Sequence, residues 1–325
     1  MNNNLKKGLI FGVIGNIFVG FQPIIANSRP AALDAHIFAA LTCLVEAIIF
    51  LPLIIIEKKV NLSKNNDVST IHSNSMIKNW RKNIWLFLFI GIIFSLNQLL
   101  FFIGYELAGA INGSLTQKTT VFFSLIFGFL ILKERITKVQ VLFSTILFFG
   151  LILAISQGSF NLLTFSLDIL SGVLIMLLIT CLWMFGHSIT KPVFARDEAT
   201  PTQMVFIRNF LSGIILFSTY FLFFPLTNIS LLFVPINQFY YISMGAVYGA
   251  SLYCWYKTLS YLDVSKASIL FSFTPIITAI FATLLLGELF TIFHLIGSVI
   301  VILSIVIIVK QKKKIENLPI DSNFS

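Results

Sequence analysis

The sequence predicts an all-α integral membrane protein of ten transmembrane helices, built as a 5+5 inverted repeat with both termini cytoplasmic. Three observations predict it. The composition is too apolar for a water-soluble fold, the apolar residues fall into ten runs of spanning length, and the basic residues alternate between the joints of those runs.

Of 325 residues, 57% are hydrophobic and 11% are charged, and the mean hydropathy is +0.94. A soluble domain carries roughly 25% charged residues, because its outer faces must stay polar. Lipid covering the outside accounts for the excess. The net charge of +9 does not point to nucleic acid, since the basic residues lie in short clusters between apolar runs, with no basic stripe interleaved with aromatics. Cys43, Cys181 and Cys254 all fall inside apolar runs, which predicts free thiols. The first apolar run follows Lys6 and Lys7, but Ile24-Ile25-Ala26 lacks a small-x-small cleavage pattern, so the run reads as a first span.

A helix needs about 20 apolar residues to cross a hydrocarbon core roughly 30 Å thick. Runs of that length lie near 8–26, 36–56, 84–105, 110–132, 137–155, 169–190, 202–224, 239–260, 265–286 and 291–309. The joints carry turn residues, such as Asn27-Ser28-Arg29-Pro30 and Ser156-Gln157-Gly158-Ser159; 57–83 alone is long, and it reads as a polar, mobile loop. Runs such as Val299 to Val309 do not alternate as barrel strands would. With both ends inside, the positive-inside rule is met by nineteen of the 22 basic residues; Arg29 alone lies in an outer joint, and Lys118 and Arg208 lie within spans.

Displaced by 154 residues, Gly91–Thr137 aligns with Gly245–Thr291 without a gap, and nine of 47 positions are identical. Glu134 and Thr137 pair with Glu288 and Thr291 at the ends of apolar runs. The chain therefore divides into two five-span halves, 1–156 and 157–325, the second ending in a basic tail. Five is odd, so the second half enters the membrane from the opposite side. Lys133-Glu134-Arg135 is then inside, and its counterpart Gly287-Glu288-Leu289 is outside and without basic residues. Inverted repeats recur in carriers that expose one site to either side in turn.

The segments Ser114–Thr137 and Ser268–Thr291 resemble the signature of the drug/metabolite transporter superfamily, in its EamA-type ten-helix members. Trp183 on span six and Arg208 on span seven also fit that resemblance. It implies a 5+5 inverted repeat, a central cavity and transport of metabolites, often efflux, without fixing the substrate. Val121 stands where the second copy has Pro275, so a helix break is expected in span nine and not in span four.

Lys118 is the most informative residue. At 1.5 Å per residue it lies roughly 12 Å deep, and a charge there faces protein or water. Its setting of Asn112, Ser114, Thr116, Gln117, Thr119 and Thr120 suits a wet cavity in which Lys118 anchors an anionic group. A structural ion pair or a snorkelling side chain is the competing reading. Glu46, roughly 15 Å deep, is the one carboxylate near mid-span. It is the candidate for proton coupling, or for a static role as a partner of Lys118 or of helix–helix hydrogen bonds. Gln117, Asn97, Gln98, Tyr248, Trp255 and Ser272 complete the expected substrate lining. Arg208, about 9 Å from the start of its span, reads as snorkelling to the cytoplasmic side or contacting a loop, and Glu134 and Glu288 read as structural. The first span offers Asn16 and Gln22 rather than a carboxylate.

The expected function is a secondary carrier in the cell membrane for a small polar metabolite, an amino acid or organic acid being favoured by Lys118. Nucleotide-sugar and drug substrates, a channel, or a non-transport membrane protein are the alternatives. The expected partners are a small-molecule substrate and the lipid bilayer, and a homodimer is compatible with the sequence. No convergent catalytic set, cofactor motif or paired metal-ligand spacing among His36, His187 and His294 is present, and no glycine-rich phosphate loop suggests an ATPase.

Overall fold

A computed structural model describes residues 3–64, 80–159, 166–196, 198–261 and 264–316. Twelve α-helices carry the apolar runs: α1 (Asn3–Ser28), α2 (Ala35–Lys64), α3 (Ile84–Ala108), α4 (Ala110–Thr116), α5 (Thr120–Leu132), α6 (Lys138–Ile155), α7 (Leu167–Ala195), α8 (Pro201–Phe223), α9 (Pro235–Tyr261), α10 (Val264–Phe271), α11 (Thr274–Phe281) and α12 (Ile292–Glu316). Two apolar runs are each split, the fourth into α4 and α5 and the ninth into α10 and α11. Nine segments among the described residues are long and apolar enough to cross a membrane. The tenth expected run is α9, which is 27 residues long but too rich in tyrosine and other polar residues to qualify by composition.

The outward faces are apolar. Ile48, Leu51 and Ile55 on α2, and Leu174 and Leu178 on α7, stand exposed at helical spacing, as lipid-facing side chains do. The interior is aromatic: Phe38, Phe101, Phe102, Tyr105 and Tyr220 are fully buried in one cluster between α2, α3 and α8. α2 continues as helix to Lys64, past the start of the loop expected from residue 57, and the rest of that loop up to residue 79 lies outside the described residues.

The main helix partnerships are α1 with α9, α3 with α7, α2 with α8, and α6 with α12. The α6–α12 crossing is close because it is built on glycine. A Cβ at Gly297 would sit 2.5 Å from the Gly150 carbonyl oxygen and 2.7 Å from the Ala154 Cβ. Small residues at such a crossing let two backbones touch where no hydrophobic effect drives helices together.

Several local structures recur 154 residues apart. α5 ends on Lys133 in the left-handed region (φ 57°), and the segment after α11 ends on Gly287 in the same region (φ 70°). Thr137 caps α6 in a reciprocal pair with Gln140. Thr291 caps α12 likewise with His294, whose backbone N–H donates to Thr291 Oγ1 while its Nδ1 accepts from the Thr291 N–H.

The helix breaks recur too, and here the sequence expectation needs correction. Span four does break: residues Gln117–Thr119 form a 3-10 turn between α4 and α5, although position 121 is valine. Span nine breaks at Ser272 and Phe273, just before Thr274 and Pro275. Proline marks only the second break. In the first, threonine hydroxyls stand in, with Thr116 Oγ1 donating to the Asn112 carbonyl and Thr119 Oγ1 to the Thr116 carbonyl, at 2.8 Å each. Such back-bonding loosens a helix ladder.

Candidate functional site

The two breaks meet. Lys118, in the middle of the first, donates from Nζ to the Phe271 carbonyl at the edge of the second, 3.1 Å away. That carbonyl is freed by the interruption, and it also accepts from Thr274 Oγ1 at 2.6 Å. An ammonium carries three donors, so two of them have no partner among the described residues. Lys118 itself is half-buried.

Neighbouring spans brace each break. Thr119 Oγ1 and Thr180 Oγ1 lie 2.9 Å apart, joining span four to α7. Asn16 on α1 donates to the Leu270 carbonyl at 2.9 Å and accepts from Thr274 Oγ1, joining α1 to span nine. Gln22, one and a half turns further along α1, donates to Ser251 on α9 at 2.9 Å. Irregular backbone at membrane depth persists where protein or cavity water satisfies it.

A second polar cluster lies between α2, α3, α8 and α9. Glu46 is fully buried, and its Oε2 accepts from Asn209 Nδ2 at 2.7 Å. Its Oε1 has no partner among the described residues. Arg208 is buried as well, with its guanidinium 4.7 Å over the Phe94 ring, a cation–π contact. Among the described residues its Nε is unpartnered and no direct ion pair joins it to Glu46. Phe94, Asn97 and Phe101 share one face of α3 by their spacing. Arg208 touches the first of these and Tyr248 the last, with ring centroids 6.0 Å apart. Between them, both amide atoms of Asn97 are buried without a partner among the described residues, as are Gln98 Nε2 and Thr42 Oγ1.

The residues expected from sequence are thus distributed over two places. Lys118, Gln117 and Ser272 lie at the paired breaks, and Trp255 joins them through its edge-to-face contact with Phe271, centroids 4.9 Å apart. Gln117 and Ser272 are buried, and Ser272 Oγ donates to the Ile269 carbonyl. Asn97, Gln98, Tyr248 and Glu46 belong to the second cluster. One expectation is overturned: Arg208 does not snorkel to the surface but is buried, with its guanidinium over the Phe94 ring. Of the static partners expected for Glu46, the structure gives it a helix–helix hydrogen bond, from Asn209, and not Lys118. Asn209, Thr180 and Arg208 were not legible as site residues, although a charge next to an amide on an otherwise apolar helix was the available signal.

The family model for the EamA-like transporter family matches residues 6–156 and 170–310, most of the chain. The chain belongs to the EamA-like transporter family. That places it in the drug/metabolite transporter superfamily and makes it a multi-pass membrane transporter rather than an enzyme. This EamA-like transporter is 30% identical over 233 residues to the uncharacterized transporter YyaM of Bacillus subtilis (strain 168), a match spanning 69% of this chain and 73% of that one. A solved crystal structure superposes with a TM-score of 0.63 at 15% identity, covering 96% of this chain and 99% of the other, which is a likeness of fold.

Proposed function

We propose that this EamA-like transporter is a secondary carrier of a small polar metabolite with an anionic group, an amino acid or organic acid, which it exports across the cell membrane. In this reading ten helices cross the bilayer, both termini are cytoplasmic, and residues 1–156 and 157–325 are two halves of opposite sense. The partnerships of α1 with α9 and α3 with α7 exchange under that symmetry, and those of α2 with α8 and α6 with α12 map onto themselves.

The observation that carries the proposal is Lys118. It puts a cation with two unused donors at the point where the broken helix of one half touches the broken helix of the other. Because the breaks are where each half bends most easily, a ligand held there is sensitive to the conformation of both. A carboxylate accepts from an ammonium with charge assistance. Glu46 and Arg208, buried near each other and each with an unpartnered atom, supply a second charged locus. Leaving such groups unpaired costs about 1–3 kcal/mol each, a cost that substrate or cavity water offsets. Glu46 is the coupling residue in this scheme.

The test is flux through liposomes containing the purified protein, with candidate amino and organic acids chosen by thermal stabilisation. Saturable counterflow is expected from a carrier and linear flux from a pore. Lys118→Met should abolish counterflow while protein abundance stays near normal. Unchanged kinetics in that variant would sink the assignment.

A further inference from the structure

An apolar cavity of about 360 Å³ lies away from both polar clusters, between α5 and α6. Its size is at the lower end of the roughly 300–1,000 Å³ of ligand pockets. Phe122, Leu125 and Ile126 form one wall, Val141 and Phe148 the other, and Ile136 from the joint closes one end. Two hydroxyls border it, but neither is offered to a ligand: Ser144 Oγ donates to the Gln140 carbonyl at 2.8 Å and Thr145 Oγ1 to the Val141 carbonyl at 3.2 Å. Val141 and Thr145 are exposed to the outside, so the cavity opens sideways, towards the bilayer. Its chemistry suits an alkyl chain.

The closed end carries positive charge. Lys133, Arg135 and Lys138 are exposed, and none makes an ion pair among the described residues. The one carboxylate of the joint does not neutralise them. Glu134 turns back towards Gly128 and pairs with Lys191 of α7 at 3.0 Å. Lys138 stands above Val141, Thr145 and Phe148 on one face of α6, by their spacing of three, four and three residues, so a cation crowns the stripe that lines the groove.

We propose that this groove binds an anionic phospholipid, one acyl chain between α5 and α6 and the phosphate against Lys133, Arg135 and Lys138. Basic pockets between spans on the side facing the anionic leaflet recognise such headgroups. The wall formed by α5 begins directly after the Lys118 turn. Neither the substrate nor the direction of transport enters the argument.

The experiment uses the full-length protein in a detergent with an uncharged headgroup, so the result does not depend on membrane orientation. Binding of dioleoyl phosphatidylglycerol, dioleoyl phosphatidylcholine and sn-glycerol 3-phosphate is measured by native mass spectrometry. The phosphatidylglycerol should bind about a hundredfold more tightly than the phosphatidylcholine, at about fivefold for each of the three cations, and glycerol phosphate, which has the headgroup charge without the chain, should not bind. Combined Lys133→Gln, Arg135→Gln and Lys138→Gln should erase the preference between the two lipids; Lys138→Gln alone should weaken phosphatidylglycerol about fivefold. Thr145→Trp, an exposed position that fills the groove, should weaken both lipids. Equal affinity of the wild type for the two lipids, glycerol phosphate binding as tightly as phosphatidylglycerol, or wild-type affinities in the variants would overturn the proposal.

Discussion

Removing the Glu288 carboxylate should loosen the Ala110 end of span four. Glu288 reaches across from the joint before α12 and accepts from the backbone N–H groups of Ala110 and Ile111, at 2.7 and 3.0 Å. Those are the first two amides of α4, and both residues are buried. The first four N–H groups of a helix have no partner within it, and an anion there also meets the positive end of the helix dipole. Gly109, just before α4, takes φ 78°, and a Cβ on it would lie 3.3 Å from either carboxylate oxygen, so the close approach depends on glycine. Hydrogen bonds to charged groups contribute about 1.5–3 kcal/mol each. Because Glu288 is half-buried, water recovers part of that in the variant. Glu288→Ala should therefore cost about 2–4 kcal/mol. Glu288→Gln, which keeps one neutral acceptor, should cost about 1–2 kcal/mol. In a thermal unfolding assay of the detergent-solubilised protein the alanine variant should lose about 3–6 °C in Tm and the glutamine variant about half as much. If both melted within about 1 °C of wild type, Glu288 would not hold the end of α4, and the reasoning would fail.

Gly297→Leu should reduce the folded yield sharply, because the added side chain meets the Gly150 carbonyl and Ala154; overpacking typically costs about 1–3 kcal/mol, and size-exclusion profiles read it. Gly287→Asn, by contrast, should be nearly neutral, because nothing lies within 4 Å of its Cβ position and asparagine tolerates the left-handed conformation. Glu198, between α7 and α8, accepts from Arg196, Lys82 and Asn83, and these bonds, Arg196 first, hold its carboxyl down at about 2 against an ordinary 4.5. A lowered carboxyl pKa stabilises above the ordinary value, and that contribution is lost as pH falls from 4.5 through 2. Protection from hydrogen exchange at residues 198–200, taken relative to the intrinsic rate at each pH, should accordingly hold from neutral pH down to about pH 4.5 and fall below it, whereas Glu198→Gln should remove that dependence.

Much of the fold was legible because lipid imposes a simple rule: a run of apolar residues long enough to span is a helix. The joints followed from turn residues; Thr137 and Thr291 stood out only as a repeated pair, and their work as helix caps is seen in the structure. The break in span four was not legible, since it rests on threonine hydroxyls returning to their own backbone and not on a proline that can be read in one letter. Lys118 was identified from depth and polar surroundings alone, but its partner, a carbonyl 153 residues away, belongs to tertiary structure. Arg208 was misread because distance along one helix says nothing about what covers it; Phe94 of another helix does. For Glu46, whose depth matched Lys118, the choice among static partners was likewise open until packing gave it to Asn209.

The central claim is that two equivalent halves cross the membrane in opposite senses and share a site where their breaks touch. Single cysteines at Lys138 and at Leu289, in a background without native cysteines, can be labelled in intact cells with a membrane-impermeant maleimide. The account predicts labelling at 289 from outside and at 138 only after the cells are opened. Labelling of both positions from the same side would contradict it.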